Sequence, residues 1–410
     1  MSKVLNGRLP DDPPTLMSTG HARSIHLRRR RRVGTRSAPQ WIYHHSSRAE
    51  NMESLKARLR EIAQQEPVPG FSVAVVKGDG VHFVDGFGLA DIAKQAPATP
   101  DTVYMWFSMT KIVTATAIMQ LAEQGRLSLD DPVANFVPQF LKIASPSPVT
   151  IRQLLNHSSG LANPMPIRWV HPATDSGPES SDFLARLLNE NGRLKSNPGE
   201  RASYSNIGYV VLGEIVASAS GVPYKEYVRE KILEPLDMNL TSFVYTSEML
   251  QAAAVGYQKR LSAMTMLFPL MRIPRGILDG RVDGYLAFNR FYLDGSSYGG
   301  LIGPVKDAAR FLGVHVNRGE VDGMRLLSSD SVALMQQISA RGGKLDVGFG
   351  WFRHHSEGID GLDFLEQLGG GAGFFNVMRI YPRESLGIVV MGNSTSYGME
   401  RIIDIVKGES

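Results

Sequence analysis

The order of local patterns in this 410-residue chain predicts an α+β fold. One antiparallel sheet is expected from both chain ends, with flanking helices and a helical subdomain inserted between the two halves. Three observations carry this. An apolar, β-branched run at 71–76 resumes at 81–87 after Gly78-Asp79-Gly80. Helical spacing dominates from 112 to 233. Strand patterns then return at 349–352, 374–380 and 386–391.

Ordered structure is expected from near Arg48. Met52 to Ala63 places Leu55, Leu59 and Ile62 on one helical face, and Pro67-Val68-Pro69-Gly70 ends it. Phe71 to Val76 and Val81 to Phe87 read as a hairpin. Ile112 to Gln124 is helical, with Gly125 as its stop signal. Thr150 to Leu155 opens a second helix with Thr150 as N-cap. Asp182 to Asn189, Ile207 to Ser218 and Tyr224 to Leu233 continue the helical block. Residues 259–295, rich in Met, Leu, Arg and Pro, read either as a flap over the site or as an extra core segment. A helix from Met399 to Val406 closes the chain. The expected division is a basic, disordered leader over 1–50 and a single domain over 51–410. Its α/β part is 51–115 with 296–410, and its helical insert is 116–295.

Composition excludes several classes. There is no cysteine, which removes disulfides, thiolate metal sites and Cys nucleophiles. No apolar stretch reaches the ~20 residues that span a bilayer. The first 50 residues carry ten Lys and Arg against three Asp and Glu, a balance of +7. In a chain of +4 overall the remaining 360 therefore sum to −3, which is no polyanion-binding surface. The block Arg28 to Arg32 is compatible with an address, RNA contact or an anionic membrane, or with a disordered extension. No apolar stretch follows it, so no export signal is read and a cytoplasmic location is expected.

Ser108-Met109-Thr110-Lys111 is the one place where a Ser is followed three residues later by a Lys. Ser108 lies where a loop enters a helix, so unpaired N–H groups and the positive dipole end face it. Lys111 follows one turn later on the same face. Tyr204-Ser205-Asn206 and the glycine cluster Gly369-Gly370-Gly371, read as a turn before a strand, come after it in order. A Ser hydroxyl needs a neighbour to take its proton. That sequence of parts is the layout of serine hydrolases of the β-lactamase and penicillin-binding-protein type.

Four segments resemble the signatures of the class C β-lactamase-related serine hydrolases: Pro69 to Val75, Phe107 to Lys111, Thr150 to Leu161 and Pro198 to Tyr209. The resemblance covers residues 52–400 and implies a β-lactamase/transpeptidase-like fold. The family includes β-lactamases, D-Ala-D-Ala peptidases and carboxylesterases. By position it implies Ser108 as nucleophile, activated by Lys111 and Tyr204. A Lys ammonium beside a phenol favours the phenolate, and a crowded buried site disfavours two charges at once. The pair is therefore one coupled titration with the base unassigned. Asn206 is implied to orient either the substrate or Lys111, and the N–H groups of Ser108 and Gly370 to form the oxyanion hole. The third motif departs from the pattern. Gln367-Leu368-Gly369 stands where the family usually has Lys-Thr-Gly or His-x-Gly. Neutral Gln367 cannot pair with a substrate carboxylate, so Gln367 and Gly369 suit an uncharged substrate unless a cation from 259–275 replaces the lysine.

Other motifs lack context. Gly295-Ser296-Ser297-Tyr298-Gly299 matches a nucleophile elbow, but no helix starts after Ser297. Gly369 to Gly373 precedes a strand instead of opening a helix, which rules against a phosphate loop. His157 reads as a buried structural residue, and His354-His355 have no partners at metal-ligand spacing. The expectation is a serine hydrolase acting on a small-molecule ester or amide, without cofactor, metal or nucleic acid. The alternatives are β-lactam or D-Ala-D-Ala peptide hydrolysis, acyl transfer, and non-catalytic binding on the same fold.

Overall fold

Phe71-Ser72-Val73-Ala74-Val75-Val76 is apolar at all positions but one, as a strand covered on both faces requires. The structure, a computed structural model, describes residues 40–409 except 263–264, 267, 269–272, 344 and 355–363. Of residues 40–51 and His354 it describes the backbone alone. The Arg28–Arg32 block, His355 and parts of 259–275 lie outside the described residues. Strand β1 (Gly70–Lys77) sends Phe71, Val73 and Val75 to one face and Ala74 and Val76 to the other. The first face is covered by helix α1 (Gln40–Gln65) and by α7 (Met399–Gly408). Leu55, Leu59 and Ile62 of α1 meet Ile402, Ile403 and Val406 of α7 in one cluster. The helix begins before the expected start because its apolar face, the only sequence signal, starts at Leu55.

The main sheet has nine strands, all antiparallel to their neighbours. They are β1, β2 (Gly80–Asp91), β3 (Ala96–Pro97), β4 (Ala340–Gly342), β5 (Leu345–Val347), β6 (Phe352–His354), β7 (Leu365–Gly371), β8 (Phe374–Tyr381) and β9 (Leu386–Gly392). Their spatial order is β4-β5-β6-β7-β8-β9-β1-β2-β3. Strand β1 pairs β9 from Phe71↔Gly392 to Lys77↔Leu386, so the two halves of the chain close one sheet. Residues from Glu50 onward cluster as one compact unit.

The second face carries α2 (Thr110–Glu123) and α6 (Val305–Val316), α5 (Asn206–Ser220) packs on α2, and α3 (Ile151–Leu155) and α4 (Ser180–Asn191) pack on α5 in the same core. Thr150 caps α3 through a reciprocal box with Gln153. Tyr224–Val228 runs on into a π-turn over Arg229–Leu233. The helices Asn206–Ser220 and Tyr224–Leu233 together have the length and composition of a span, but a bend of 79° separates them. Among the described residues no single helix is long and apolar enough to cross a bilayer.

Three expectations are corrected. Residues 278–293 are strands: Leu278–Val282 and Tyr285–Phe288 form a hairpin, and Phe291–Leu293 pairs with Val170–Pro172. Asp283 and Gly284, with φ of 45° and 83°, supply the turn. In the 349–352 segment only Phe352 is in a strand, because Gly350 has φ 77° and lies against the α2 backbone. Gly369 to Gly371 end strand β7, and the turn is Ala372-Gly373.

Candidate active site

Ser108 sits in a 3₁₀ turn, Phe107–Met109, that feeds directly into α2. The residue before it, Phe107, has φ 48°, a strained value for a side chain of this size. Helix α2 is buried from Thr110 to Leu121, so its polar groups need internal partners. Thr114 Oγ1 donates to Ser297 O at 2.7 Å and Thr116 Oγ1 to Ile112 O at 2.9 Å. Lys111 is fully buried. Its Nζ lies 3.0 Å from Ser108 Oγ, 2.9 Å from Asn206 Oδ1 and 2.7 Å from Tyr298 O. The Tyr204 and Tyr209 rings stand 4.9 and 5.5 Å from it. No carboxylate pairs with it among the described residues. Burial alone therefore pushes the ammonium well below the ordinary lysine range.

Tyr204 OH lies 2.7 Å from Ser108 Oγ. Burial drives this phenol upward, partly countered by the Ser108 hydrogen bond. Burial thus works against the charged form of each group, in keeping with the expectation that a crowded buried site disfavours two charges at once. The Tyr204 segment is fixed from both ends. Ala202 N–H donates to Arg341 O at 2.8 Å, against the edge of β4. Ser205 caps α5 by accepting from Gly208 N–H at 3.2 Å. Asn206 N–H donates to Asn163 Oδ1 at 3.0 Å. Fully buried His157 accepts the Ser205 N–H through Nδ1 at 3.1 Å. Its ring packs 4.7 Å from Tyr204 and 5.4 Å from Phe352. Burial holds His157 well below the usual imidazole range, with the Lys111 charge a smaller cause. Neutral His157 thus carries its proton on Nε2, which meets no acceptor among the described residues.

The glycine cluster works by close approach. A Cβ at Gly369 would stand 2.1 Å from Trp106 O, and one at Gly371 would stand 2.1 Å from the Phe107 ring. At Gly370 it would point the other way, 3.2 Å from Phe375. The pairing also fixes the Gly370 N–H. Asn393 N–H bonds Gly70 O at 3.1 Å. Counting registers from that pair through β9 and β8 turns the Gly370 N–H away from β8. It points to the edge that β6, paired only at Phe352↔Glu366, leaves uncovered.

Ser108, Tyr204, Asn206 and Gly370 line one cavity of about 470 Å³. Gln367 and Gly369 do not line it. Gln367 is buried, and its Nε2 donates to Leu368 O at 2.9 Å. Ser297 is elsewhere: its Oγ faces Gly213, where a Cβ would stand 2.4 Å away, and its turn leads to no helix before Val305. His157 is the buried structural residue that the sequence suggested, whereas the Tyr298 carbonyl and the wall at Phe268, Phe288 and Phe291 were missed, because they lie more than 100 residues from Ser108 and no local pattern encodes them.

A nine-stranded antiparallel sheet with helices on both faces, and a Ser-Lys-Tyr cluster between sheet and helices, define the β-lactamase and transpeptidase class. The Beta-lactamase family model matches residues 55–407, and the chain belongs to that family. Protein flp of Staphylococcus aureus (strain N315) is 26% identical over 343 residues, 83% of this chain and 63% of its own length. The chain thus spans less than two thirds of that relative. An uncharacterized protein of Mycobacterium tuberculosis (strain CDC 1551 / Oshkosh) is 29% identical over 308 residues, 70% of this chain and 72% of its own. Among solved structures, the octameric penicillin-binding protein homologue from Pyrococcus abyssi superposes with a TM-score of 0.68 at 29% identity, covering 86% of this chain and 75% of that one. EstCE1, a hydrolase with promiscuous acyltransferase activity, gives 0.63 at 20% identity over 86% and 95%, a likeness of fold.

Proposed function

We propose that this chain is a serine hydrolase that forms an acyl-enzyme on Ser108 and hydrolyses uncharged carboxylic esters. The observation that carries the substrate class is the cavity lining. Among the described residues it contains no Lys, Arg, His, Asp or Glu. A β-lactam or peptidoglycan carboxylate would be buried there without a partner, at a cost no ester meets.

The chemistry follows from the Lys111 contacts. A neutral amine has two N–H groups and one lone pair. Asn206 Oδ1 and Tyr298 O accept the two hydrogens, which leaves the lone pair for the Ser108 hydroxyl. Ser108 Oγ attacks the ester carbonyl as its proton passes to Lys111. The carbonyl electron pair moves to the oxygen, held by the N–H groups of Ser108 and Gly370. The C–O bond to the alcohol then breaks, and the alcohol leaves with a proton from the Lys111–Tyr204 pair. Water enters by the same route in reverse. An alcohol in place of water gives acyl transfer, which the apolar lining favours.

The test is burst and steady-state hydrolysis of p-nitrophenyl butyrate and of a chromogenic cephalosporin by wild type and Ser108→Ala. Ester turnover is expected to fall by at least ~10³-fold in the variant, with little cephalosporin turnover in either. Undiminished ester turnover in Ser108→Ala sinks the mechanism, and equal cephalosporin turnover sinks the substrate class.

A further inference from the structure

We propose that the site takes esters whose acyl part is a bulky apolar group of roughly eight to twelve carbons, from the volume argument that follows. The inference rests on the reading of Ser108 as an esterase nucleophile. A cavity of about 470 Å³ is far larger than an acetyl group needs. At about 30 Å³ per non-hydrogen atom it holds on the order of fifteen of them. Its wall is apolar, built by Val170, Phe268, Ile273, Ile277, Phe288 and Phe291. The wall is also preformed. The Val170–Pro172 and Phe291–Leu293 strands pair across three residues, and His171 Nδ1 bonds Asp294 Oδ1 at 2.7 Å beside them.

The acyl half is the part this wall receives. In the mechanism proposed above a leaving alcohol meets the Lys111–Tyr204 pair, of which Tyr204 lines the cavity. The Tyr204 ring is packed by His157 and Phe352, neither of which lines the cavity. Ser108, Tyr204 and the apolar wall line the same cavity, with the acyl group assigned to the wall and the leaving oxygen to Tyr204. A short acyl group leaves that wall uncovered, whereas each methylene buried there is worth about a factor of four in binding.

The experiment measures kcat/KM for p-nitrophenyl acetate, butyrate, octanoate and dodecanoate below their micelle concentrations. It also measures octyl acetate against ethyl acetate. Wild type, Ser108→Ala, Ile277→Trp and Phe288→Ala are compared. Octanoate is expected to exceed acetate at least tenfold. Ile277→Trp is expected to lower the octanoate-to-acetate ratio at least fivefold, and Phe288→Ala to move the optimum toward dodecanoate. A profile that is flat or falls from acetate overturns the inference, as do ratios unmoved in both wall variants. An equal gain from lengthening the alcohol overturns the acyl assignment. If Ser108→Ala is inactive on every ester while wild type prefers acetate, this inference alone fails. If Ser108→Ala stays active, the underlying reading fails.

Discussion

Lys111 is a buried amine held by two carbonyl oxygens, and in the mechanism proposed above the protonation state of the Lys111–Tyr204 pair decides whether Ser108 is activated. Because burial lowers its affinity for a proton, the neutral amine exists at a pH where an exposed lysine is charged. Activity therefore rises with pH as the Lys111–Tyr204 pair loses its first proton. The midpoint is expected below the ~10.4 of a free lysine, and a pH–rate profile of the acylation burst checks it. Lys111→Arg keeps a cation that cannot give up its proton near neutral pH. It is expected to lower kcat/KM by about 10³-fold, the scale of a lost general base. His157 acts one step removed. His157→Phe keeps the ring against Tyr204 but leaves the buried Ser205 N–H unpaired. Such a loss costs about 1–3 kcal/mol of stability, read in urea denaturation. The spacing of Ser108 and Lys111 was legible in the sequence. Their charge state was not, since it depends on rings and carbonyls contributed by residues far along the chain.

Strand β7 is where an element, not a side chain, makes the site. Its alternation sends Gly369 and Gly371 against Trp106 and Phe107 while Gly370 turns its N–H to the open edge. Gly369→Ala would push the strand off a backbone oxygen that cannot move aside. A shift on the order of 1 Å there costs about 10²-fold in turnover, and kcat of the purified variant measures it. Helix α6 carries a different liability. Fully buried His315 packs 5.2 Å from Phe311 and 5.3 Å from Trp351, and burial pushes its imidazole down to about 3. The folded state thus binds this proton more weakly than the unfolded chain. Stability from this group is present above the unfolded value, near 6.5, and is lost as pH falls toward 3. His315→Phe is expected to flatten the fall in unfolding midpoint between those limits, measured by thermal denaturation. Element positions were legible where an apolar face or run was clear, as in α1, α7 and β1. The 278–288 hairpin was missed although Asp283-Gly284 is a strong turn signal, because its strands are short and the first carries Asp279, Gly280 and Arg281.

The sheet joins segments from both halves of the chain, and an ion network, buried at Arg379 and Glu366 and exposed at Glu400, ties its centre to α7. Arg379 of β8 donates from Nε to Glu366 Oε2 of β7 at 2.8 Å and from Nη1 to Glu400 Oε2 of α7 at 2.9 Å. The Phe364 ring lies 4.1 Å from the guanidinium. Arg379→Met removes the cation that bonds the Glu366 carboxylate in the interior and so breaks that ion pair. Breaking a buried pair from one side costs about 3–5 kcal/mol, measured by denaturant unfolding. Steady-state kcat is expected to hold, since Arg379 lines no part of the cavity. Nothing in the sequence marks Arg379 as different from a surface arginine on an alternating strand. Its burial follows from the helix laid across that face.

By itself the sequence determined the layout: a doubly covered β1, an amphipathic closing helix, and Ser108, Lys111 and Tyr204 in an order tied to one family. These are short-range properties, set by side-chain period and by turn and cap chemistry within a few residues. The tertiary structure decided which serine joins the lysine, Ser108 over Ser297. It also decided that, among the described residues, the lysine is buried without a carboxylate and the cavity is apolar and uncharged, and which glycine faces the open edge. Each of these is a sum over neighbours brought together across tens to hundreds of residues. Burial, desolvation and strand phase exist only once the chain has closed on itself.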